Sequence, residues 1–186
     1  MQPIQGEWYQ QGFWPIIGAA IILIIPNAVA LWGIFIQTRR QTQSQLLLKR
    51  IAVVSEQLTE FYDPLFTMLK INGKCFSKIG PNTFPQDPYR LETAGKIWNQ
   101  VRDNVIIPNN IEIAKILRTR SHLIASCDSI DPYLELNEHI SMYEIFADYP
   151  NEVYQNFMFP KDITPHVELI RKKLVDELQQ MKKGNL

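Results

Sequence analysis

The sequence predicts an all-α protein: a single N-terminal transmembrane helix followed by a cytoplasmic, bundle-like helical domain. Three observations lead to this fold class. An uncharged apolar run covers residues 13–36, apolar residues recur at helical spacing from Leu47 to Met68, and Asp-Pro or Thr-Pro pairs punctuate the remainder. No segment of useful length alternates apolar and polar residues with the period of a β-strand, so we expect helices throughout.

The apolar run over residues 13–36 predicts a membrane-spanning helix, because about 20 apolar residues are enough to cross a bilayer. Aromatic residues crowd both ends of the run, as they do at membrane interfaces. No Lys or Arg precedes the run, whereas four basic residues follow it: Arg39, Arg40, Lys49 and Arg50. The positive-inside rule then predicts a short extracytoplasmic N-terminus over residues 1–12 and a cytoplasmic C-terminal domain.

Two other interpretations of this run were weighed. A cleaved signal peptide would place its cleavage site at Ala28-Val29-Ala30, but residues 1–12 lack the basic residues that such a peptide carries. A buried core helix is disfavoured by the length of the run. Within the run, Pro26 predicts a kink, and the amide of Asn27 offers a polar contact to another helix.

An amphipathic helix is predicted over residues 37–62, ahead of a helical domain over residues 63–186. Apolar residues follow steps of four and three through this junction: Leu47, Ile51, Val54, Leu58, Phe61, Leu65 and Met68. Neighbouring apolar residues make the stripe wider than the seam of a two-stranded coiled coil. We therefore expect the stripe to pack mostly against the other helices of the same chain.

Dipeptides with proline predict where helices begin in this domain. Asp and Thr are favourable N-caps, and proline suits the first helical position. Such pairs are Asp63-Pro64, Asp87-Pro88, Asp131-Pro132 and Thr164-Pro165. Asn72-Gly73 and Pro108-Asn109-Asn110 are typical of turns and predict helix ends. The last helix is expected over residues 165–183.

The charge of the chain is balanced overall and segregated locally. Its 19 basic and 19 acidic residues cancel, so nothing in the net charge predicts binding to nucleic acid. Residues 128–152 contain only acidic charges, and residues 171–183 are basic. These segments predict either solvated faces that complement one another within the fold, or an acidic docking surface with basic ends that contact anionic lipid.

A small basic cluster is a candidate anion-binding site, since guanidinium groups match the oxygens of a phosphate. Its members are Lys115, Arg118, Arg120 and His122. Pairing with nearby acidic residues is the competing interpretation. His122, Cys127 and Asp128 also invite the hypothesis of a Cys–His nucleophile, although proximity in sequence does not bring catalytic groups together in space.

His139 follows Glu135 and Glu138, which raises the hypothesis of a metal site. Di-iron bundles use two Glu-x-x-His motifs together with carboxylates from further helices, and this chain has neither motif. We therefore predict no metal site, no cofactor and no catalytic residue.

Taken together, these patterns predict a membrane-anchored interaction or scaffold module. It would dock a protein partner, or further copies of the chain, at a lipid bilayer. The alternative is a self-assembling membrane effector, whose kinked span oligomerises and is gated by the helical domain. Of the residues in the span only Asn27 is strongly polar, whereas a pore needs polar residues repeated along one face. An enzyme or an anion sensor is the third class.

Overall fold

The computed structural model describes the backbone of residues 8–148 and 152–184. Side chains are described for residues 26–146, 152–153 and 156–184. The described residues form helices and no strand, so the predicted all-α class is confirmed. By its contacts the chain divides into two units, Met1–Lys49 and Arg50–Leu186.

Six α-helices account for most of the described chain. They are α1 (Trp8–Gln57), α2 (Asp63–Ile79), α3 (Pro88–Val101), α4 (Ile107–Thr119), α5 (Asp131–Asp148) and α6 (Ile163–Lys183). Single π-helical turns join α1 to α2 and α3 to α4, at Leu58–Tyr62 and Arg102–Ile106. Short 3₁₀ turns occupy Pro81–Thr83, Ser121–Leu123 and Glu152–Phe157.

The prediction of a transmembrane helix over residues 13–36 is wrong. Among the residues that the structure describes, no helix carries an apolar stretch of membrane-crossing length. The single-pass topology and the cytoplasmic placement that depended on this helix are withdrawn with it.

Part of that prediction falls outside the described residues. Residues 13–25 belong to α1, but their side chains are not described, and residues 1–7 of the predicted N-terminal segment are not described at all. Pro26 and Asn27 lie within α1, which continues through both residues.

Two prolines that the sequence analysis associates with helix boundaries lie instead inside continuous helical segments. A π turn ends two residues before each of them, Pro64 and Pro108. A proline has no N–H, and its ring clashes with the carbonyl four residues earlier, so the wider π turn accommodates the ring without ending the helix. Helix α2 begins at Asp63 as predicted. The predicted role of Asp63 as an N-cap is wrong, because the π turn runs directly into α2 and Asp63 has helical backbone angles (φ −67°, ψ −49°).

The other predicted starts agree with the structure to within two residues. Asp87 has an extended backbone, and its carboxylate accepts the Arg90 N–H at 2.9 Å, as an N-cap does. Helix α5 begins at Asp131, as predicted. Helix α6 begins at Ile163, two residues before the predicted position, and ends at Lys183.

The predicted helix ends at Asn72-Gly73 and at Pro108-Asn109-Asn110 are wrong, because these asparagines bond one helix to another. The Asn72 Nδ2 group donates to Asn110 Oδ1 at 2.9 Å, and Asn109 Nδ2 donates to Asn72 Oδ1 at 2.8 Å. We call Asn72, Asn109 and Asn110 the Asn cluster. It joins α2 to α4, and α2 continues past Gly73 to Ile79.

The hydrophobic core belongs to the Arg50–Leu186 unit. There α2 and the π turn before it pack against α6, and α2 and α5 both pack against α4. Four residues of the predicted apolar stripe are buried in this core, namely Val54, Leu58, Phe61 and Leu65. The expectation that the stripe packs within its own chain is confirmed for these residues.

Candidate functional site

A buried carboxylate, Asp128, lies where four segments of the core meet. Tyr62 on the first π turn and Tyr133 on α5 donate their hydroxyl protons to Asp128 Oδ2, at 2.7 and 2.6 Å. His166 Nε2 on α6 lies 2.6 Å from Oδ1, and the Ser129 N–H donates to the same oxygen at 2.8 Å. We call Asp128, Tyr62, Tyr133 and His166 the Asp128 cluster.

The donors of the Asp128 cluster use all the acceptor capacity of the carboxylate. The Asp128 side chain is 0% exposed. The Tyr62 hydroxyl accepts the Ala125 N–H at 3.0 Å, which directs its own proton toward Asp128. A carboxylate has about four lone-pair positions, and four donors face this one. No acceptor position remains for a substrate proton, so the geometry does not support Asp128 as a general base.

Burial also holds the two tyrosines of the cluster in their protonated form. Desolvation raises the pKa of Tyr62 and of Tyr133 far above the usual tyrosine range, and the nearby Asp128 carboxylate raises both further. Phe61 packs edge-on against both rings, with centroid distances of 4.9 and 5.4 Å. The cluster therefore fastens the π turn, the loop before α5, α5 and α6 together.

The histidine that reaches Asp128 is not the one that the sequence analysis considered. His122 lies exposed on a 3₁₀ turn, and Cys127 is exposed as well. His166, which carried no predicted role, contacts the carboxylate from 38 residues away. No spacing rule connects these two positions, and the sequence held no signal that would have paired them.

His139, the residue behind the metal hypothesis, is buried beside the segment that follows α5. Its ring lies edge-on to Phe159, with 5.4 Å between centroids. Its Nδ1 lies 2.7 Å from the Phe157 carbonyl oxygen, which can only accept, so the proton is on Nδ1. Burial lowers the pKa of His139 and favours the neutral ring. Within the described residues, no group of three His, Cys, Asp or Glu side chains is arranged to hold a metal ion.

The residues of the predicted anion-binding cluster lie on α4 and the turn after it. Lys115 pairs with Glu112 at 3.1 Å, and Arg120 pairs with Glu60 at 3.2 Å. Arg118 and His122 are exposed. Acidic side chains thus pair with two of the four residues, and anion binding by this cluster stays a prediction.

The basic residues predicted near the membrane have different surroundings. Arg50 pairs with Glu177 of α6 at 2.8 Å, within the Arg50–Leu186 unit. The Arg39 guanidinium lies 4.8 Å from the centre of the Phe35 ring, one turn away on α1. Arg40 and Lys49 are exposed, as are Pro26 and Asn27.

A shallow apolar groove lies between the C-terminal end of α2 and the middle of α3. It has a volume of about 150 Å³ and is lined by Lys78, Ile79, Thr83, Phe84, Ala94 and Ile97. We call it the α2–α3 groove. On the same two helices, Phe76 meets the buried Trp98 edge-on at 5.7 Å, yet Phe76 and Ile97 remain 48% and 49% exposed.

Cations border this groove. Lys74 and Lys78 lie one turn apart on α2, and Arg90 lies one turn before Ala94 on α3, so each helix presents a basic residue on its groove side. Lys74, Lys78 and Arg90 are exposed, and none forms an ion pair within the described part of the chain. The groove therefore combines an apolar floor with a positive rim. Comparison of the chain with known protein families, curated proteins and solved structures finds no match.

Proposed function

We propose that the chain is a helical protein-interaction module, which binds the apolar face of a partner's helix in the α2–α3 groove. The observation that carries this proposal is the exposure of Phe76 and Ile97 on the two helices that form the groove. Large apolar side chains left in water on two adjacent helices are typical of surfaces that another protein covers. A groove between two helices suits an amphipathic helix, which anchors itself by apolar residues three or four positions apart.

The chemistry of the buried polar groups supports binding over catalysis. The Asp128 carboxylate gives its acceptor positions to four donors of its own chain. The hydroxyls of Tyr62 and Tyr133 are fixed as donors to that carboxylate. A general base needs a free lone pair within reach of a substrate, and this cluster offers none.

The positive rim favours a partner whose helix is acidic beside its apolar face. Lys74, Lys78 and Arg90 would meet these acids across the contact, which raises the rate of association and sets the orientation of the bound helix. Because the three cations are exposed, their attraction weakens as salt is added. The apolar floor supplies the part of the affinity that salt does not remove.

Selection from a displayed library of helical peptides tests the proposal without assuming a particular partner. We expect enrichment of acidic peptides with apolar residues at helical spacing. Their binding should fall at least tenfold for Ile97→Lys, which places a charge in the groove. Ile111→Lys is the matched control, since Ile111 is 53% exposed on α4 and is not part of the groove. Failure to enrich any peptide, or equal binding to both variants, would contradict the proposal.

A further inference from the structure

Helix α5 carries an outward face that resembles the partner which the groove requires. Leu134, Glu138 and Ile145 are spaced by four and seven residues, so they share one side of the helix, with Glu135 beside them. The two apolar residues are 56% and 55% exposed. They are separated by 11 positions, which spans about 16 Å along a helix axis.

The acids of this face have no basic neighbours in sequence, and no ion pair in the part of the fold that the structure describes. Glu135 and Glu138 are exposed, and within the described residues neither forms a salt bridge. No Lys or Arg lies between residues 128 and 152. The acidic face of α5 and the basic rim of the groove thus carry opposite charges that are not paired within the described residues, although the net charge of the chain is zero.

We infer that the occupant of the α2–α3 groove is α5 of a second copy of this chain. This inference rests on the proposed function, because it names the partner of the same groove. A cavity of about 150 Å³ holds a group the size of benzene, so it accommodates one aliphatic anchor, Leu134 or Ile145. Glu135 and Glu138 then face the cations of the rim.

This contact is heterologous, because the groove and α5 are different surfaces of the molecule. Each copy that binds through α5 still offers its own groove, and each copy that binds through its groove still offers its own α5. Such contacts continue into larger assemblies or close into a ring, and the smallest ring is a dimer that makes two groove–α5 contacts. Concentration-dependent association that needs both surfaces is therefore the signature of this arrangement.

Sedimentation velocity of the full chain tests the inference, with two variants that each disable one surface. Ile97→Lys alters the groove and Leu134→Lys alters α5. Both positions are exposed, so both variants should keep the helical content and melting temperature of the wild type. We expect the wild type to associate as its concentration rises and each variant alone to associate at least tenfold more weakly. Ile111→Lys should associate like the wild type.

Mixing the two variants gives the decisive measurement. Ile97→Lys keeps an intact α5, and Leu134→Lys keeps an intact groove, so an equimolar mixture should form a 1:1 heterodimer and nothing larger. A monomeric wild type, a mixture that stays monomeric, or variants that associate as well as the wild type would each overturn self-association through these surfaces. In that case the proposed function stands if the selected peptides still need Ile97, and falls with the inference if they do not.

Discussion

Two polar contacts join helices of the Arg50–Leu186 unit, and they differ in charge and in the number of segments they connect. In the Asp128 cluster a single charged acceptor collects donors from the π turn, its own loop, α5 and α6. In the Asn cluster neutral amides exchange hydrogen bonds between α2 and α4 alone. Both contacts replace water with protein partners, which buried polar groups require.

The difference shows how each arrangement responds to the loss of one member. An amide carries both donors and acceptors, so the partly exposed Asn72 and Asn109 can bond to water when a partner is removed. A buried acceptor at the centre of several donors has no such substitute, because its removal leaves several groups unpaired at once. We expect the Asp128 cluster to dominate the stability of this unit, and three measurements test the comparison.

The largest effect is expected for Asp128→Ala. This change leaves both tyrosine hydroxyls, the His166 ring and the Ser129 N–H without their acceptor, and Tyr62 and Tyr133 are buried. We expect the free energy of unfolding to fall by about 3–5 kcal/mol, as it does when one member of a buried charged contact is removed. Urea denaturation measures it. Glu144→Ala, at an exposed position on α5, should change it by no more than about 0.5 kcal/mol.

A smaller loss is expected for Asn72→Ala, which leaves Asn109 Nδ2 and the buried Asn110 Oδ1 without their shared partner. The cost of such unpaired groups is about 1–3 kcal/mol. The same urea experiment measures it, with Asn99→Ala at an exposed position of α3 as the control. A loss for Asn72→Ala that equals or exceeds the loss for Asp128→Ala would contradict the ranking of the two clusters.

A third effect, which arises only at alkaline pH, separates the two clusters. Because burial raises the pKa of Tyr62 and Tyr133 in the folded state, the unfolded chain loses these protons first, near pH 10. Stability is thus intact below pH 10 and declines above it, by about 1.4 kcal/mol per pH unit for each tyrosine. Unfolding free energies at pH 9, 10 and 11 test this. Tyr62→Phe with Tyr133→Phe should flatten the decline, whereas Asn72→Ala should leave it unchanged.

The sequence predicted those helix boundaries that depend on neighbouring residues alone. Asp87 caps α3 through an N–H three positions away, so the Asp-Pro signal was sufficient there. The same signal at Asp63-Pro64 did not produce an N-cap, because Phe61 and Tyr62 just before it are helical and buried in the core. Asn72 failed as a turn signal for a similar reason, since its partner Asn110 is 38 residues away.

The candidate sites were less predictable than the helices. In the Asp128 cluster only Tyr133 is close in sequence to Asp128, whereas Tyr62 and His166 are separated from it by 66 and 38 residues. The groove was missed because helical spacing shows which residues of α3 share a face, but does not show which other helix packs beside α3. In the structure Trp98 is buried and Ile97 remains exposed.

Because of the π turn at Leu58–Tyr62, the orientation of α2 depends on the number of residues in this segment as well as on their identity. A π turn holds more residues than an α turn, so the residues of the following helix that face the core lie later in the sequence than an uninterrupted α-helix would place them. The predicted stripe continued from Leu65 to Met68, whereas the structure buries Leu69 and leaves Met68 only partly buried against the core. Loss of a single residue from this turn would rotate α2 by about 100° and direct Leu69 and Asn72 away from their partners. The number of residues before Pro64 therefore determines which face of α2 points into the core.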